Sequence, residues 1–406
     1  MRKDNKCDAA DYGFLPDKNG EENTAALCRA VSENSVVTVS TPGVYDMSGT
    51  VRLPSDTSIE FNPGTVVRRV KLKNPLLEGN LFINEGAFVG KFNENITVSG
   101  LKLLVNGVES AGAQEDCQNV IPGLRGHLAF LYIKNLIIEN VSITGLCQKD
   151  YAVQISDFKN AEVRNSYFEG MKDGVHFGPG SGFAVRDCVF RTYDDAIALN
   201  CSDYSVSNPN FGTIENGIIE NCTELSGYET EAFFIRILVG TARKWKKGMT
   251  VYHSDAVLTK NGMYRVVMHA DNTAYVSVHE PDFAGGYKTI DGITWIKTHA
   301  AYAPDEIGEL ASCRNITVKN LTLHAKRRRG VYIYTAFDEY LRSYYRGSPV
   351  PAVENISFEN VCLAAEFERF IAKNVPVDNL TLKNCFAPFG SPDALSVLDE
   401  KNPQLG

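Results

Sequence analysis

Cysteine is sparse and irregularly spaced in this chain, and long apolar runs are missing. Ten cysteines are distributed over 406 residues, and none forms the Cys-x-x-Cys spacing of common zinc and redox motifs, so neither a disulfide scaffold nor a metal cluster is expected. No apolar run is long enough to span a membrane. The net charge of −8 disfavours nucleic acid as a partner. These absences favour a globular protein without metal, membrane or nucleic-acid partners.

A recognisable secretion signal is also missing. Residues 1–6 carry basic side chains, but no apolar segment of a signal peptide follows them. The expectation is a cytoplasmic protein as the chain stands, or a secreted or periplasmic protein whose signal has been removed. The unpaired cysteines favour a reducing compartment.

One short phrase recurs along the chain: an Asn or Gly, alternating apolar residues, and a second small or polar residue. It begins at Asn95, Asn135, Asn160, Gly182, Gly217, Asn315, Asn355 and Asn379, and several neighbouring phrases are 22 to 25 residues apart. Period-2 alternation at this interval is typical of a stacked β-solenoid. A leucine-rich repeat fits poorly because the helical half of each repeat is missing. The sequence predicts an all-β fold, a single-stranded right-handed parallel β-helix.

The repeated Asn also creates a series of N-glycosylation sequons, such as Asn315-Ile-Thr and Asn355-Ile-Ser. We interpret them as structural, because an Asn at a coil corner can stack its amide on the next coil. This interpretation predicts side-chain contacts between successive Asn residues.

Both ends of a β-helix expose sheet edges and an open core, and need covers. Residues 21–33 predict an amphipathic helix that closes the first coil. The apolar face of this helix consists of Ala26, Leu27, Ala30 and Val31. Residues 387–406 are expected to fold over the other end or to lie against the side.

The repeat is interrupted in one long segment, residues 241–299. Asn261-Gly262 lies there between alternating residues and is a strong hairpin signal. We predict a small inserted all-β module at 241–299, which divides the β-helix into a first part at 1–240 and a second part at 300–406.

Aromatic residues give the predicted module two possible roles. Trp245, Tyr264 and Trp295 either stack on sugar rings or form the mini-core of a small sheet. The second interpretation is slightly favoured, and both stay open at the level of sequence.

Three aspartates occur in similar short phrases, one at Asp173 and a pair, Asp194 and Asp195, that begins 21 residues later. If one period is one coil, these carboxylates stack on adjacent coils, whose backbones lie about 4.8 Å apart. Consecutive strand residues point to opposite faces, so Asp194 and Asp195 share a groove only if the chain bends there. Three crowded carboxyls cannot all ionise easily, so the pKa of one of them rises. That group keeps its proton and can act as an acid. A turn motif is the alternative interpretation.

The start of the chain resembles that of pectate-lyase-like β-helix proteins. The resemblance rests on Asp11-Tyr-Gly, on the helix predicted at 21–33 and on Thr41-Pro-Gly-Val-Tyr. It implies a pectin-lyase-like solenoid with an N-terminal capping helix.

The aspartate phrases resemble those of the polygalacturonase family, glycoside hydrolase family 28, which read Asn-Thr-Asp-Gly and Asp-Asp-Cys-Ile-Ala. The segments here are Lys172-Asp173-Gly-Val and Asp194-Asp195-Ala-Ile-Ala-Leu, and the resemblance covers most of residues 8–390 apart from the interruption. It implies an O-glycosyl hydrolase that cleaves a plant- or microbe-derived polysaccharide or oligosaccharide without a cofactor or metal.

The resemblance also implies roles for the carboxylates. Asp194 would be the general acid, and Asp173 and Asp195 would hold the attacking water. An inverting mechanism of this kind needs carboxyls about 6.5–9.5 Å apart. Neighbours displaced diagonally on adjacent coils are expected about 7–8 Å apart.

Two segments depart from the family pattern. Thr230-Glu231-Ala232 stands where the family has Gly-His-Gly, and Tyr332-Ile333-Tyr334 stands where it has Arg-Ile-Lys. The Arg and Lys are the groups expected to pair with the carboxylate of galacturonic acid, and a phenol does not replace such a pairing. We therefore expect a substrate other than plain polygalacturonic acid, with Tyr332 and Tyr334 contacting a neutral sugar.

The coil register suggests further substrate-binding residues. His176 lies three residues after Asp173, and Arg236 lies one coil after the aspartate pair. The remaining candidates are Tyr151 and Glu231. The basic run at 326–329 is either a solvated turn or a site for an acidic branch of the glycan.

Three functional classes stay open. The first is a glycosidase of the polygalacturonase-like type. The second is a polysaccharide lyase on the same fold, in which the aspartates would bind Ca²⁺. The third is a non-catalytic glycan-binding or phage-tail-like β-helix, in which the inserted module does the binding.

Overall fold

The computed structural model of the protein describes residues 3–70, 79–108, 121–267, 273–298, 310–337 and 341–405. Within these ranges the chain forms one large sheet of 26 strands, joined by parallel pairing of successive coils. The predicted all-β parallel β-helix is confirmed. No helix in the described ranges is long and apolar enough to cross a membrane.

The N-terminal coils begin behind a helical cap. The α-helix α1 (Gly20–Glu33) starts with a capping box, in which the Asn19 side chain accepts from the Glu22 amide and the Glu22 side chain accepts from the Asn19 amide. Its buried face contains Ala26, Leu27, Ala30 and Val31, as predicted. Short 3₁₀ helices lie at Ala9–Tyr12 and Glu85–Phe88. The strands are β1 (Lys3–Asp8), β2 (Asn34–Val39), β3 (Gly43–Met47), β4 (Val51–Leu53), β5 (Thr57–Phe61), β6 (Thr65–Arg69), β7 (Phe82–Asn84), β8 (Asn93–Ser99) and β9 (Lys102–Leu104).

The central coils hold the predicted aspartates. Two of their strands, β10 and β12, are 14 residues long and run past a coil corner. The strands are β10 (Gly126–Glu139), β11 (Ser142–Leu146), β12 (Tyr151–Arg164), β13 (Tyr167–Gly170), β14 (Val175–Phe177), β15 (Gly180–Arg186), β16 (Val189–Thr192), β17 (Ile197–Asn200), β18 (Ile214–Glu220), β19 (Thr223–Glu224) and β20 (Ile235–Leu238).

The segment at 241–299 forms separate small sheets, although 268–272 and 299 lie outside the described residues. A five-stranded sheet has the order β22-β24-β25-β28-β27, and β23 pairs with β26 and β21 with β29. The strands are β21 (Gly240–Thr241), β22 (Arg243–Lys244), β23 (Met249–Val251), β24 (Ala256–Thr259), β25 (Gly262–Val266), β26 (Tyr275–Ser277), β27 (Tyr287–Ile290), β28 (Ile293–Thr298) and β29 (Leu310–Ala311). The division of the chain at 1–240, 241–299 and 300–406 stays a prediction.

The C-terminal coils resume the large sheet. The strands are β30 (Cys313–Leu323), β31 (Arg327–Tyr334), β32 (Val353–Leu363), β33 (Phe367–Lys373), β34 (Asp378–Lys383) and β35 (Leu398–Asp399). The last segment folds over the C-terminal end of the β-helix, because β35 extends the stack as the next strand beyond β33. The Asn402 side chain also donates to Thr335 Oγ1 over 2.9 Å.

Equivalent strands of successive coils stack on one another. The stack that matters for function, called the site stack below, runs β14-β17-β20-β31-β33-β35, preceded by the first halves of β10 and β12. Residues that point into the coil form an apolar column: Val153, Val175, Ile197, Ile235 and Val331. Burial of each such side chain contributes about 1.5–3 kcal/mol. The next residues along each strand point outward: Gln154, His176, Ala198, Arg236 and Tyr332.

The recurring asparagines form a ladder along another face. Asn355 Nδ2 donates to Asn315 Oδ1 over 2.9 Å, and Asn379 Nδ2 donates to Asn355 Oδ1 over 2.8 Å. All three residues have positive φ, between 55° and 58°, a conformation that Asn tolerates better than most residues. The sequons therefore arise from coil corners whose amides contact one another.

Cysteines also take structural positions. Cys188 and Cys222 are buried in the coil interior, whereas Cys362 and Cys385 are only partly buried. The nine cysteines among the described residues are all free thiols. They contribute to packing, as small apolar residues do.

Candidate active site

The three predicted catalytic aspartates lie just before two neighbouring strands of the site stack. Asp173 precedes β14, and Asp194 and Asp195 precede β17. Counting back from the pairing of β14 with β17 places Asp173 opposite Asp195 and Lys172 opposite Asp194. The coil period at this point is thus 22 residues, one more than the interval between Asp173 and Asp194.

A bend in the chain lets the consecutive aspartates share one site. Residues 193–196 between β16 and β17 form bends instead of strand, so the usual alternation of side chains does not apply. The Phe233 amide of the following coil donates to Asp195 Oδ1 over 2.9 Å. This hydrogen bond holds the Asp195 side chain along the stack.

The carboxylates are closer together than expected. One oxygen each of Asp173, Asp194 and Asp195 lies within 4.8 Å of the others, so the expected separation of about 7–8 Å is wrong. The physical reason is the register, which places Asp173 directly opposite Asp195 instead of diagonally. The spacing is also shorter than the roughly 6.5–9.5 Å that an inverting pair uses to accommodate water.

Lys172 is a member of this cluster. Its ammonium forms an ion pair with the Asp194 carboxylate on the next coil and lies 4.0 Å from Asp173 Oδ1. Burial opposes ionisation of Asp194, but the Lys172 charge outweighs it and lowers the pKa of that carboxyl. The same carboxylates raise the pKa of Lys172 despite its burial. At neutral pH, Lys172 and Asp194 are therefore both charged.

The other two carboxyls retain protons. Burial, reinforced by the negative charge of Asp194, raises the pKa of Asp173 and of Asp195 to about 8. The resemblance implies that Asp194 is the general acid, but its lowered pKa makes it the ionised member of the three. Asp173 and Asp195, and not Asp194, are therefore the members of the cluster that carry a proton to donate.

His176 lies directly beside Asp173 and is fully buried. Its Nδ1 is 2.8 Å from Asp173 Oδ2, and its Nε2 is 3.2 Å from Asn200 Nδ2. Burial lowers the pKa of His176 to about 3, so the ring is neutral. Because the Asn200 amide donates to Nε2, the ring proton is on Nδ1 and is donated to Asp173.

A second set of buried contacts supports His176. The Tyr151 ring stacks on the imidazole, with centroids 4.0 Å apart and planes 17° apart. Asp203 Oδ2 lies 3.6 Å from His176 Nε2 and accepts from Asn200 Nδ2 over 2.8 Å. Tyr151 and His176, which the sequence suggested as substrate-binding residues, are both buried and form a packed support beneath Asp173.

Arg236 connects the aspartates to the tyrosines of the next coil. Its Nη1 is 3.7 Å from Asp195 Oδ2, and its Nη2 is 3.6 Å from Asp203 Oδ1. Its Nε donates to Tyr334 Oη over 2.9 Å. Each nitrogen of the guanidinium therefore already faces a protein oxygen.

The two tyrosines form a stacked aromatic surface next to Arg236. The rings of Tyr332 and Tyr334 lie 4.2 Å apart and 14° from parallel, and Phe233 flanks Tyr332 at 5.2 Å. The Tyr332 hydroxyl donates to Glu400 Oε2 over 2.8 Å. Such a surface presents an apolar face and a hydroxyl to a sugar ring.

Glu231 lies apart from this cluster. Its side chain is 81% exposed, and its nearest charged partner is Arg328, at 3.8 Å. It belongs to the wall of an adjacent cleft. The structure therefore does not bring Glu231 together with Asp194.

Three participants were missed at the sequence level: Lys172, Asn200 and Asp203. A signal for Lys172 existed, because it directly precedes Asp173 and a 22-residue coil places it opposite Asp194. Asn200 and Asp203 carry no comparable signal, since they act through buried hydrogen bonds to His176 and to each other.

The three carboxyls have the spacing of a group that could hold a cation, and a site without metal stays a prediction. Three carboxylates offer oxygens of the kind that Ca²⁺ prefers, but this ion takes six to eight of them. The Lys172 ammonium contacts two of the carboxylates, and the Arg236 guanidinium lies beside the third. These two cations balance much of the negative charge that would attract a metal.

In the 241–299 segment, the three aromatic residues pack in one small core. Tyr264 and Trp295 are fully buried in a cluster with Val251 and Val257, so their role as sugar platforms is excluded. Trp245 is partly buried, packs against the edge of the same cluster, and donates its Nε1–H to Ser277 Oγ over 2.9 Å. The mini-core interpretation therefore describes all three residues, with Trp245 at the edge.

No protein-family profile and no curated protein sequence matches this chain. Similarity is found among solved structures. The pre-mature gene product 12 of bacteriophage phi29 superposes with a TM-score of 0.53 at 11% identity, over 94% of this chain and 45% of that one. This chain thus spans less than half of the phage protein.

Two further structures match over nearly their whole length. The endo-xylogalacturonan hydrolase of Aspergillus tubingensis has a TM-score of 0.48 at 9% identity, covering 98% of this chain and 100% of that one. The surface adhesin PfbA of Streptococcus pneumoniae has a TM-score of 0.46 at 15% identity, covering 95% and 93%. Identities this low show the fold alone, and the fold carries different functions.

Proposed function

We propose that this protein is a glycoside hydrolase that cleaves a plant- or microbe-derived polysaccharide or oligosaccharide with Asp173, Asp194 and Asp195. The observation that carries the proposal is the geometry of this cluster, in which oxygens of the three carboxyls lie within 4.8 Å of one another and Lys172 pairs with Asp194. One carboxylate is held ionised by Lys172, while two buried neighbours keep their protons at neutral pH. Pairs of carboxyls whose environments push their pKa values apart are the acid and base of glycosidases.

In this proposal the acid is a carboxyl of Asp173 or Asp195. It donates its proton to the glycosidic oxygen, the bond to the anomeric carbon breaks, and the leaving sugar departs as an alcohol. The ionised Asp194, whose side chain is 27% exposed, takes a proton from the attacking water. Proton transfer within the cluster then restores the starting state.

The stereochemical course is a separate part of the proposal. The sequence favours inversion, but carboxylate oxygens within 4.8 Å are nearer the roughly 5–5.5 Å spacing of retaining enzymes. Proton NMR of the first released sugar distinguishes the two courses, because the anomeric configuration is recorded before mutarotation. Retention would replace the inverting hypothesis.

The substrate is proposed to be other than plain polygalacturonic acid. A uronate needs a free cation, and the nitrogens of Arg236 already face Asp195, Asp203 and Tyr334. Lys172 pairs with Asp194. The stacked Tyr332 and Tyr334 suit a neutral ring at this position.

The test is a screen of the purified protein against plant and bacterial oligosaccharides, with released sugars read by mass spectrometry. Asp194→Asn is run in parallel, with Asp378→Asn as an exposed control and a chelator arm. Release that survives chelation and is lost only in Asp194→Asn supports the hydrolase. Chelator-sensitive release of an unsaturated product would establish a lyase instead.

One observation favours a second candidate, a non-catalytic glycan-binding β-helix. Asp173 and Asp195 are each only 2% exposed, which also suits a buried structural cluster. This candidate predicts that no glycan in the panel is cleaved. It also predicts that Asp194→Asn binds glycan as the wild type does.

A further inference from the structure

A cleft of about 700 Å³ opens beside the carboxylate cluster. Its walls come from the bend before β17, the turn at 229–231, the starts of β31 and β33, and residues 389–391. The bend contributes Tyr193, the residue directly before Asp194. A ligand in this cleft therefore lies against the same bend that carries the proposed catalytic residues.

A buried ion pair joins the floor of the cleft to the aspartates. Arg327 lines the cleft, and its fully buried guanidinium lies 2.6 Å from Glu224 Oε1. The same group donates to the carbonyl oxygens of Thr192 at 3.3 Å and Asp194 at 3.4 Å. The bend is thus linked to the cleft floor by two long, weak hydrogen bonds from the Arg327 guanidinium.

The cleft and the cluster are within reach of one oligosaccharide. Thr230 bridges to Arg327 in the cleft floor, and Phe233, three residues later, donates its amide to Asp195. Three residues span at most about 11 Å, and this segment is bent rather than extended. A chain of sugars can therefore occupy both places at once.

The charges of the cleft are predominantly negative. Its carboxylates are Glu229, Glu231, Glu366 and Glu368. Two exposed cations face them: Lys326 lies 3.4 Å from Glu366, and Arg328 lies 3.1 Å from Glu368. Arg327 adds no charge to the wall, because Glu224 neutralises it below the surface. An excess of carboxylates repels an anionic ligand.

Aromatic side chains are exposed in the same cleft. Tyr193 is 41% exposed and Phe389 is 65% exposed, and both lie in the wall. Tyr228 packs edge-on against Tyr193, with ring centroids 6.0 Å apart. Exposed rings among charged groups suit a ligand that has both apolar faces and hydroxyls.

We propose that this cleft is a glycan subsite next to the carboxylate cluster, and that it takes an uncharged or basic sugar and rejects uronates. The proposal rests on the hydrolase function proposed above, and it names the substrate class of that site. The aromatic rings contact the sugar faces. The glutamates accept hydrogen bonds from hydroxyl or amino groups and exclude carboxylates by charge.

Binding is measured by calorimetry on the full chain carrying Asp194→Asn, so that cleavage does not interfere. The probes are a chitosan hexamer, cellohexaose and hexagalacturonic acid, at low ionic strength. The chitosan hexamer or cellohexaose is expected to bind at least tenfold more tightly than hexagalacturonic acid. Adding Tyr193→Ala is expected to weaken that binding at least tenfold.

Matched variants identify the cleft as the place of binding. Tyr287→Ala removes a tyrosine of nearly equal exposure, 40%, from the 241–299 segment and is expected to leave affinity unchanged. Glu368→Gln is expected to reduce the difference in affinity between the chitosan hexamer and hexagalacturonic acid. Glu94→Gln, on a distant coil, is expected to leave that difference unchanged. Tyr193→Phe keeps the aromatic ring and is expected to retain binding. A melting curve for each variant shows whether a loss of affinity comes from lost stacking or from lost folding.

Two results overturn the subsite. One is hexagalacturonic acid binding as tightly as the other probes, and the other is affinity that is unchanged in a folded Tyr193→Ala protein. The proposed function fails separately. If the wild type cleaves no glycan while the chitosan hexamer or cellohexaose still binds through Tyr193, the cleft stands as a binding site and the hydrolase does not.

Discussion

Lys172 and Asp194 form an ion pair across two neighbouring coils, at the same register of the site stack. This pair decides which carboxyl of the cluster is ionised. Asp173 and Asp195 lie opposite each other and keep their protons, because burial and the negative charge of Asp194 both disfavour their ionised forms. The charge state of the cluster therefore depends on a residue that is not itself a carboxyl group.

Replacing Lys172 should shift the pH dependence of activity. In Lys172→Met the ammonium that lowers the pKa of Asp194 is lost, so that pKa rises. The ionised form is then present only at higher pH, and the acidic limb of kcat/KM moves upward. The pH–rate profile measures this shift, and Lys134→Met, which removes an exposed ion pair with Glu94, is the control. An unmoved acidic limb would show that Lys172 does not set the charge of Asp194.

Asp195→Asn should remove activity and raise stability in alkaline solution. The pKa of Asp195 in the folded protein is about 8, against an ordinary value of 3.8, so the folded state binds the proton more tightly. That contribution to stability is complete below about pH 4 and is lost as the pH rises through about 8. Asn cannot ionise and avoids the loss.

Thermal unfolding from pH 4 to pH 9 tests this expectation. The Tm of Asp195→Asn should exceed that of the wild type by a few degrees above pH 8, and the difference should shrink towards pH 4. A difference that is constant over this range would contradict a buried, titrating Asp195. Asp378→Asn, at an exposed position, should follow the wild type.

Replacing only one partner of the buried Arg327–Glu224 ion pair should strongly destabilise the folded protein. Arg327→Met leaves an unpaired buried carboxylate, and the expected loss is about 3–5 kcal/mol in the free energy of unfolding. The double variant Arg327→Met/Glu224→Leu should recover most of it. Urea denaturation of the four proteins of this cycle gives the coupling.

An exposed ion pair supplies the comparison, because Arg328 follows Arg327 on β31 and pairs with Glu368 on β33. Arg328 and Glu368 are each about half exposed, and such pairs contribute roughly 0–1 kcal/mol. Arg328→Met is therefore expected to change the unfolding free energy by less than Arg327→Met does. Equal effects would mean that Arg327 and Glu224 are not a coupled buried pair.

The asparagine ladder should depend on both the amide and the backbone of Asn355. Asn355→Ala loses the side-chain hydrogen bonds to Asn315 and Asn379. It also places a residue with a Cβ atom at a φ of 55°, which costs roughly 1–2 kcal/mol in backbone strain alone. Asn355→Gly loses the same bonds without that strain. Chemical denaturation should rank the alanine variant as the less stable, and the opposite order would refute the left-handed requirement.

Much of the fold could be predicted because its determinants are local. Alternation with a period of two specifies which side chains point into each coil, and the interval between phrases specifies the coil length. The face of α1, including Leu27 and Val31, follows from helical spacing alone. The Asn positions follow from the few residues that tolerate a left-handed corner.

Prediction of the site was limited by register. The sequence identified Asp173, Asp194 and Asp195 as a group, but a one-residue difference in coil length decides whether Asp173 faces Asp194 or Asp195. That difference brought Lys172 into the cluster and shortened the carboxylate spacing. A period estimated from phrases that vary between 22 and 25 residues does not resolve a single residue.

Sequence by itself determined the repeat, the helical cap and the identity of the carboxylates, because each is encoded by neighbouring residues. Tertiary structure decided which side chains are charged and which are buried. Tyr264 and Trp295 became core, Glu231 was placed in a cleft wall, and Asp203 was brought beneath His176. Burial and charge pairing depend on residues that are far apart in the chain, so only the stacked coils determine the chemistry of the site.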